Sequence, residues 1–129
     1  TRHFLSCIIF LFILFSGLAY SADIETVRKE YMTGQYEQCV ESAGNGIIGR
    51  IGEEQAILLV KSLMALGKYE KAAYELDVAR LSEPLSLRLL MLGYQVNFYT
   101  GNPEKSNDML NRIYRNATTF QSLTGDLPI

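Results

Sequence analysis

The sequence predicts an all-α fold of antiparallel helix pairs, and three observations point that way. Related segments recur at Met32-Thr33-Gly34-Gln35-Tyr36-Glu37-Gln38-Cys39, at Ala65-Leu66-Gly67-Lys68-Tyr69-Glu70-Lys71-Ala72 and at Tyr99-Thr100-Gly101-Asn102-Pro103-Glu104-Lys105-Ser106. Their glycines are spaced 33 and then 34 residues apart, a period typical of helix-pair repeats. Between them apolar residues return at helical intervals, and no stretch alternates as a half-buried strand would.

Residues 1–21 read as an export signal, expected as a helix ahead of the domain. Arg2 and His3 precede an apolar run over residues 4–15 that is broken only by Ser6 and Cys7. Small residues follow at Ala19 and Ser21, three and one before a cut after Ser21, as in a secretory leader. The rival is an uncleaved membrane anchor. A spanning helix needs about 20 apolar residues, and this run reaches that only by counting through Tyr20. Without the leader one cysteine remains, Cys39, beside Glu37, Gln38 and Glu41. A single thiol forms no internal disulfide, and acidic neighbours do not activate it. It reads as a small buried helix residue.

Residues 22–116 read as the helical domain, about three hairpins. Ile24, Val27 and Tyr31 mark a weak first helix. Gly34 supplies the left-handed backbone that ends it, and Tyr36 then stands just inside the second helix. Ala56, Leu59, Val60, Leu63 and Leu66 carry the third helix up to Gly67. The fourth starts near Tyr69 with Ala72, Ala73, Leu76, Ala79, Arg80 and Leu81. Leu89, Leu90, Leu92, Val96 and Tyr99 form the fifth, up to Gly101. Asn102 suits the cap of the sixth helix and Pro103 its first position, where no amide hydrogen is needed. Met109, Leu110, Ile113 and Tyr114 complete it. Cys39, Ala72 and Ser106 take the same place in each pair, where a small side chain lets two helices approach.

Residues 117–129 read as loop, or as the start of a continuation, because residues 118–129 show no periodic apolar face. The sequence opens on Thr1 rather than Met and is expected to be the front end of a longer protein. An array ending near Asn116 would leave Leu110, Ile113 and Tyr114 open, in need of a further repeat, a capping helix or a partner.

The pattern resembles the tetratricopeptide repeat family. The middle copy, residues 53–85, matches best, through Ala56, Leu59, Gly67, Tyr69, Ala72, Leu76, Ala79 and the closing Pro84. It departs at Val60, where the family has glycine. The third copy keeps Leu92-Gly93 but has an extra residue before Gly101, and Ser106 for alanine. The first retains Gly34, Tyr36, Glu37 and Cys39. The resemblance implies a curved α-solenoid whose first helices line a concave, partner-binding side. By position it places there Arg28, Tyr31 and Met32, then Glu54, Lys61 and Met64, then Tyr94, Asn97 and Phe98. The strongest candidates to hold a protein or peptide partner are Arg28, Tyr31, Lys61, Met64, Tyr94 and Asn97.

Other chemistry finds little footing in these residues. A formal charge of -2 with scattered Lys and Arg lacks the basic stripe of a nucleic-acid binder. The one histidine, His3, lies in the leader, and the rest offers no Ser-His-Asp set, metal-ligand cluster or cysteine pair. No enzyme activity, cofactor or metal is expected. Gly44, Gly46 and Gly49 spell G-x-G-x-x-G, but that motif works only between a strand and a helix, and here a helix precedes it. Asn116-Ala117-Thr118 matches a glycosylation acceptor, its plainer reading being a frayed helix end. The expectation is an exported protein-interaction scaffold, periplasmic, envelope-bound or secreted, touching membrane only through an uncleaved leader. The alternative is the docking arm of an exported hydrolase or peptidase whose catalytic domain lies beyond residue 129.

Overall fold

The computed structural model describes residues 23–44 and 51–124, with backbone only from residue 120 onward. The expected leader at residues 1–21 lies outside the described residues, as do Gly46 and Gly49. Among the described residues there are six helices and no strand: α1 (Ile24–Met32), α2 (Tyr36–Gly44), α3 (Glu53–Ala65), α4 (Tyr69–Ser82), α5 (Leu87–Tyr99) and α6 (Pro103–Thr124).

Three of the turns share one geometry. Gly34, Gly67 and Gly101 have φ of 76°, 72° and 69°, the left-handed region that costs a residue with a Cβ but not glycine. At each, the amide after the glycine reaches back five residues: Gln35 to the Glu30 carbonyl at 2.8 Å, Lys68 to Leu63 at 2.8 Å, Asn102 to Asn97 at 2.9 Å. The glycine amides bond to Tyr31, Met64 and Phe98. This paired closure satisfies carbonyls that a helix end otherwise leaves bare. The chain then re-enters a helix within two residues. At the third turn the Asn102 Oδ1 accepts from the Lys105 amide at 3.3 Å, ahead of Pro103 at the first helical position.

The other described connection uses a different device. Pro84 and Leu85 form a turn, and the Ser86 hydroxyl accepts from the Leu89 amide at 3.1 Å, capping α5.

Helix α3 is the centre of the packing. It touches α1, α2, α4 and α5, and accordingly buries Ile57 and Leu58 as well as the expected Ala56, Leu59, Val60 and Leu63. Helices α1, α3 and α5 form one row, with α3 against both its neighbours. Helix α2 packs on α1 and α3, α4 on α3 and α5, and α6 on α5. The core runs through Val27, Cys39, Leu59, Val60, Leu63, Ala72, Leu76, Leu89, Leu92 and Val96. Cys39, Ala72 and Ser106 are all buried.

Gly93 marks the tightest approach: a Cβ there would stand 3.3 Å from both Leu76 Cδ2 and Met109 Sδ. Val60, by contrast, is fully buried with its side chain accommodated.

Several expectations need correction. Residues 117–124 are not loop, since α6 continues to Thr124. No glycine or proline interrupts residues 104–124, and Thr118 and Thr119 turn their hydroxyls onto the Tyr114 and Arg115 carbonyls, so they hydrogen-bond within the helix. The Asn116-Ala117-Thr118 acceptor therefore lies inside a helix rather than at its frayed end. Leu81 is exposed rather than packed, because it lies on the side of α4 turned from α3 and α5. Tyr99 is likewise exposed, its ring stacked on Tyr69 at 5.6 Å.

Candidate functional site

The row of α1, α3 and α5 leaves one open face, and polar links cross it between neighbouring helices. From α1 to α3, Arg28 Nε donates to Glu54 Oε1 at 2.9 Å and its Nη2 lies 2.8 Å from the same oxygen. Arg28 also pairs with Glu25 on its own helix. Hydrogen bonds to Glu25 and then Glu54 hold the guanidinium above its ordinary value. From α3 to α5, Glu53 accepts from Arg88 at 3.3 Å and from the Ser86 hydroxyl.

A groove of about 220 Å³ opens between α3 and α5, lined by Ile57, Lys61, Arg88, Met91, Leu92 and Gln95. Ile57 and Leu92 belong to the buried core and form its apolar floor. Lys61 is exposed and makes no ion pair among the described residues. Beyond the groove α5 carries an exposed stripe of Met91 (58% exposed), Tyr94 (36%) and Phe98 (64%), with the Tyr94 and Phe98 rings 6.4 Å apart.

The stripe has a simple cause. Counted back from the glycine that ends each helix, Met91 and Tyr94 hold the places of Ile57 and Val60. Both are buried, and Ile57 lines the groove where α5 lies against α3. No described helix stands beyond α5 in the row, so its matching side chains meet solvent.

The six expected partner-binding residues divide. Lys61 lines the groove, and Tyr94 lies on the exposed stripe of α5. Arg28 is half-buried and held by two carboxylates. Tyr31 and Met64 are half-buried and pack against the core, Tyr31 with its ring 5.8 Å from that of Tyr36. Asn97 is a correction. It is buried, and its Nδ2 donates to the Gly93 carbonyl at 2.8 Å. With 4% of its surface exposed and one amide hydrogen bound to its own helix, it presents little to a ligand on the open face.

Sequence reasoning missed Arg88, Met91 and Gln95. The signal was present, because these residues follow one another at helical spacing on the side of α5 that also carries Phe98. The positions that the family resemblance implies for this helix, Tyr94, Asn97 and Phe98, do not include these three.

Cys39 offers no reactive thiol. Its Sγ lies 3.5 Å from the Val27 carbonyl oxygen. Burial pushes the thiol up, the Ser62 hydroxyl opposes the shift, and the Glu30 carboxylate adds to it. Among the described residues no group of His, Cys, Asp or Glu is placed to hold a metal ion, and no helix is long and apolar enough to cross a membrane. In comparisons with known proteins, the chain matches no family model, no curated protein and no solved structure.

Proposed function

We propose that this chain is a tetratricopeptide-like array of three helix pairs that binds a protein or peptide on the open face of α1, α3 and α5. The observation that carries the reading is the groove between α3 and α5 with its exposed extension through Met91, Tyr94 and Phe98. Contiguous exposed apolar surface rimmed by polar residues marks interaction sites on folded proteins, and aromatic and methionine side chains supply contact area there. Three turns with the same closure and the single row of first helices support the repeat assignment. The leader-like residues 1–21 support placing this scaffold outside the cytoplasm. N-terminal sequencing of the mature product tests that part: a chain starting at Ala22 is expected, and one retaining residues 1–21 refutes a cleaved leader.

Selection of displayed peptides on the immobilised chain tests the binding reading. Enriched peptides should lose affinity for the Met91→Glu and Phe98→Glu variants and keep it for Tyr74→Glu, a change at an exposed tyrosine of α4. Enrichment of no peptide, or equal binding to all three variants, refutes it.

A further inference from the structure

At the junction of α1 and α3, Arg28 and Glu54 form an ion pair. Arg28 stands six residues before Gly34, and Lys61 stands six before Gly67. Glu54 stands thirteen before Gly67, and Arg88 thirteen before Gly101. The next junction therefore has Lys61 in the place of Arg28 and Arg88 in the place of Glu54. Two cations stand where the first junction has a cation and an anion.

The consequences are visible in the geometry. Lys61 makes no ion pair among the described residues, and Arg88 turns instead to Glu53, at 3.3 Å and with its side chain 62% exposed. A groove opens at this spot, with both cations in its lining. Like charges facing across an interface repel, and an anion between them relieves the repulsion while gaining two charge-assisted contacts. The apolar floor of Ile57, Met91 and Leu92 sits beside the cations.

We infer that the groove takes an acidic side chain of the partner between Lys61 and Arg88, with a neighbouring apolar side chain on Ile57, Met91 and Leu92. The partner carboxylate stands in for the missing Glu54 equivalent. This inference rests on the open face being the binding surface and names what that surface selects: a peptide in which Asp or Glu adjoins an aliphatic residue.

The test uses the purified chain and a fluorescein-labelled peptide, Gly-Ser-Leu-Glu-Leu-Asp-Ser-Gly, against its twin with Gln and Asn in place of the acids. Fluorescence anisotropy should show the acidic peptide binding about tenfold tighter, equivalent to ~1.4 kcal/mol, with the preference shrinking as salt is raised. In Lys61→Glu the preference should vanish while the melting temperature stays level or rises, because that carboxylate can face Arg88 as Glu54 faces Arg28. Equal binding of the twins by the wild type overturns the charge inference and leaves the binding face standing. A preference that survives Lys61→Glu, or no binding of either peptide, also overturns it. The displayed-peptide selection judges the face independently.

Discussion

The Cys39 thiol lies 3.5 Å from the carbonyl oxygen of Val27, twelve residues before it, on the helix that α2 packs against. The Ser106 hydroxyl donates to Tyr94, also twelve residues back, at 3.2 Å. In the middle pair the small residue is Ala72, which has no polar atom. Size is what the three share, and a contact to the facing backbone is available to whichever side chain can make it.

Enlarging that position should therefore be costly. Ala72→Leu is expected to destabilise by about 1–3 kcal/mol, the usual range for overpacking a filled core. Cys39→Ala removes only a small sulfur and a weak contact, and should cost less. Urea denaturation of both variants measures this, and an unchanged midpoint for Ala72→Leu would show that helices α3 and α4 do not meet closely there.

The glycine turns make a prediction about backbone rather than packing. Open space surrounds Gly67, so Gly67→Ala meets no clash, only the strain of φ at 72°. That strain is about 1–2 kcal/mol for a residue with a Cβ. Gly44→Ala, at a helical position without positive φ, should be neutral or mildly stabilising. Equal thermal shifts for the two variants would contradict the left-handed assignment.

Asn97 separates stability from binding. Asn97→Ala leaves a cavity and removes a buried hydrogen bond, with an expected cost of about 1–3 kcal/mol. Affinity for any peptide selected on the open face should stay within about twofold, since a change well under 1 kcal/mol is expected when no contact is lost. A specific loss of binding without loss of stability would restore Asn97 to the binding surface.

The raised Cys39 thiol ties reactivity and stability to pH. Less thiolate forms in the folded chain than in the unfolded one, so alkylation by iodoacetamide at mildly alkaline pH should be slow until urea unfolds the protein. The folded state holds this proton more tightly. Its contribution is intact below the unfolded thiol value of about 8.5 and is lost as pH rises from there toward the raised folded value. Cys39→Ser should remove that part of the alkaline destabilisation. Rapid alkylation of the native chain would show the site to be open.

The exposed stripe on α5 adjoins the last helix, where Tyr114 is 64% exposed and Leu110 and Ile113 are half-buried. The native chain should bind a hydrophobic dye such as anilinonaphthalene sulfonate, and Met91→Lys with Tyr114→Lys should reduce the signal while leaving the helical circular dichroism unchanged. A native chain that leaves the dye dark would mean this surface is covered.

Local signals determined the helices and their punctuation. Gly34, Gly67 and Gly101 were legible because a left-handed residue is demanded by the backbone alone, and Asn102-Pro103 because capping involves only neighbours. The continuation of α6 past Asn116 was also local, but the Thr118 and Thr119 hydroxyls that fold back onto their own turn do not show in an apolar pattern.

Which face is free was a tertiary decision. Ile57 and Met91 hold the same place in their helices, and one is buried while the other meets solvent only because α5 lies beyond α3 and no described helix lies beyond α5. Asn97, on the same helix as Met91, is buried. A polar side chain on a helix declares its solvent only when the neighbour above it is known, since burial is a property of pairs of helices and not of a sequence position.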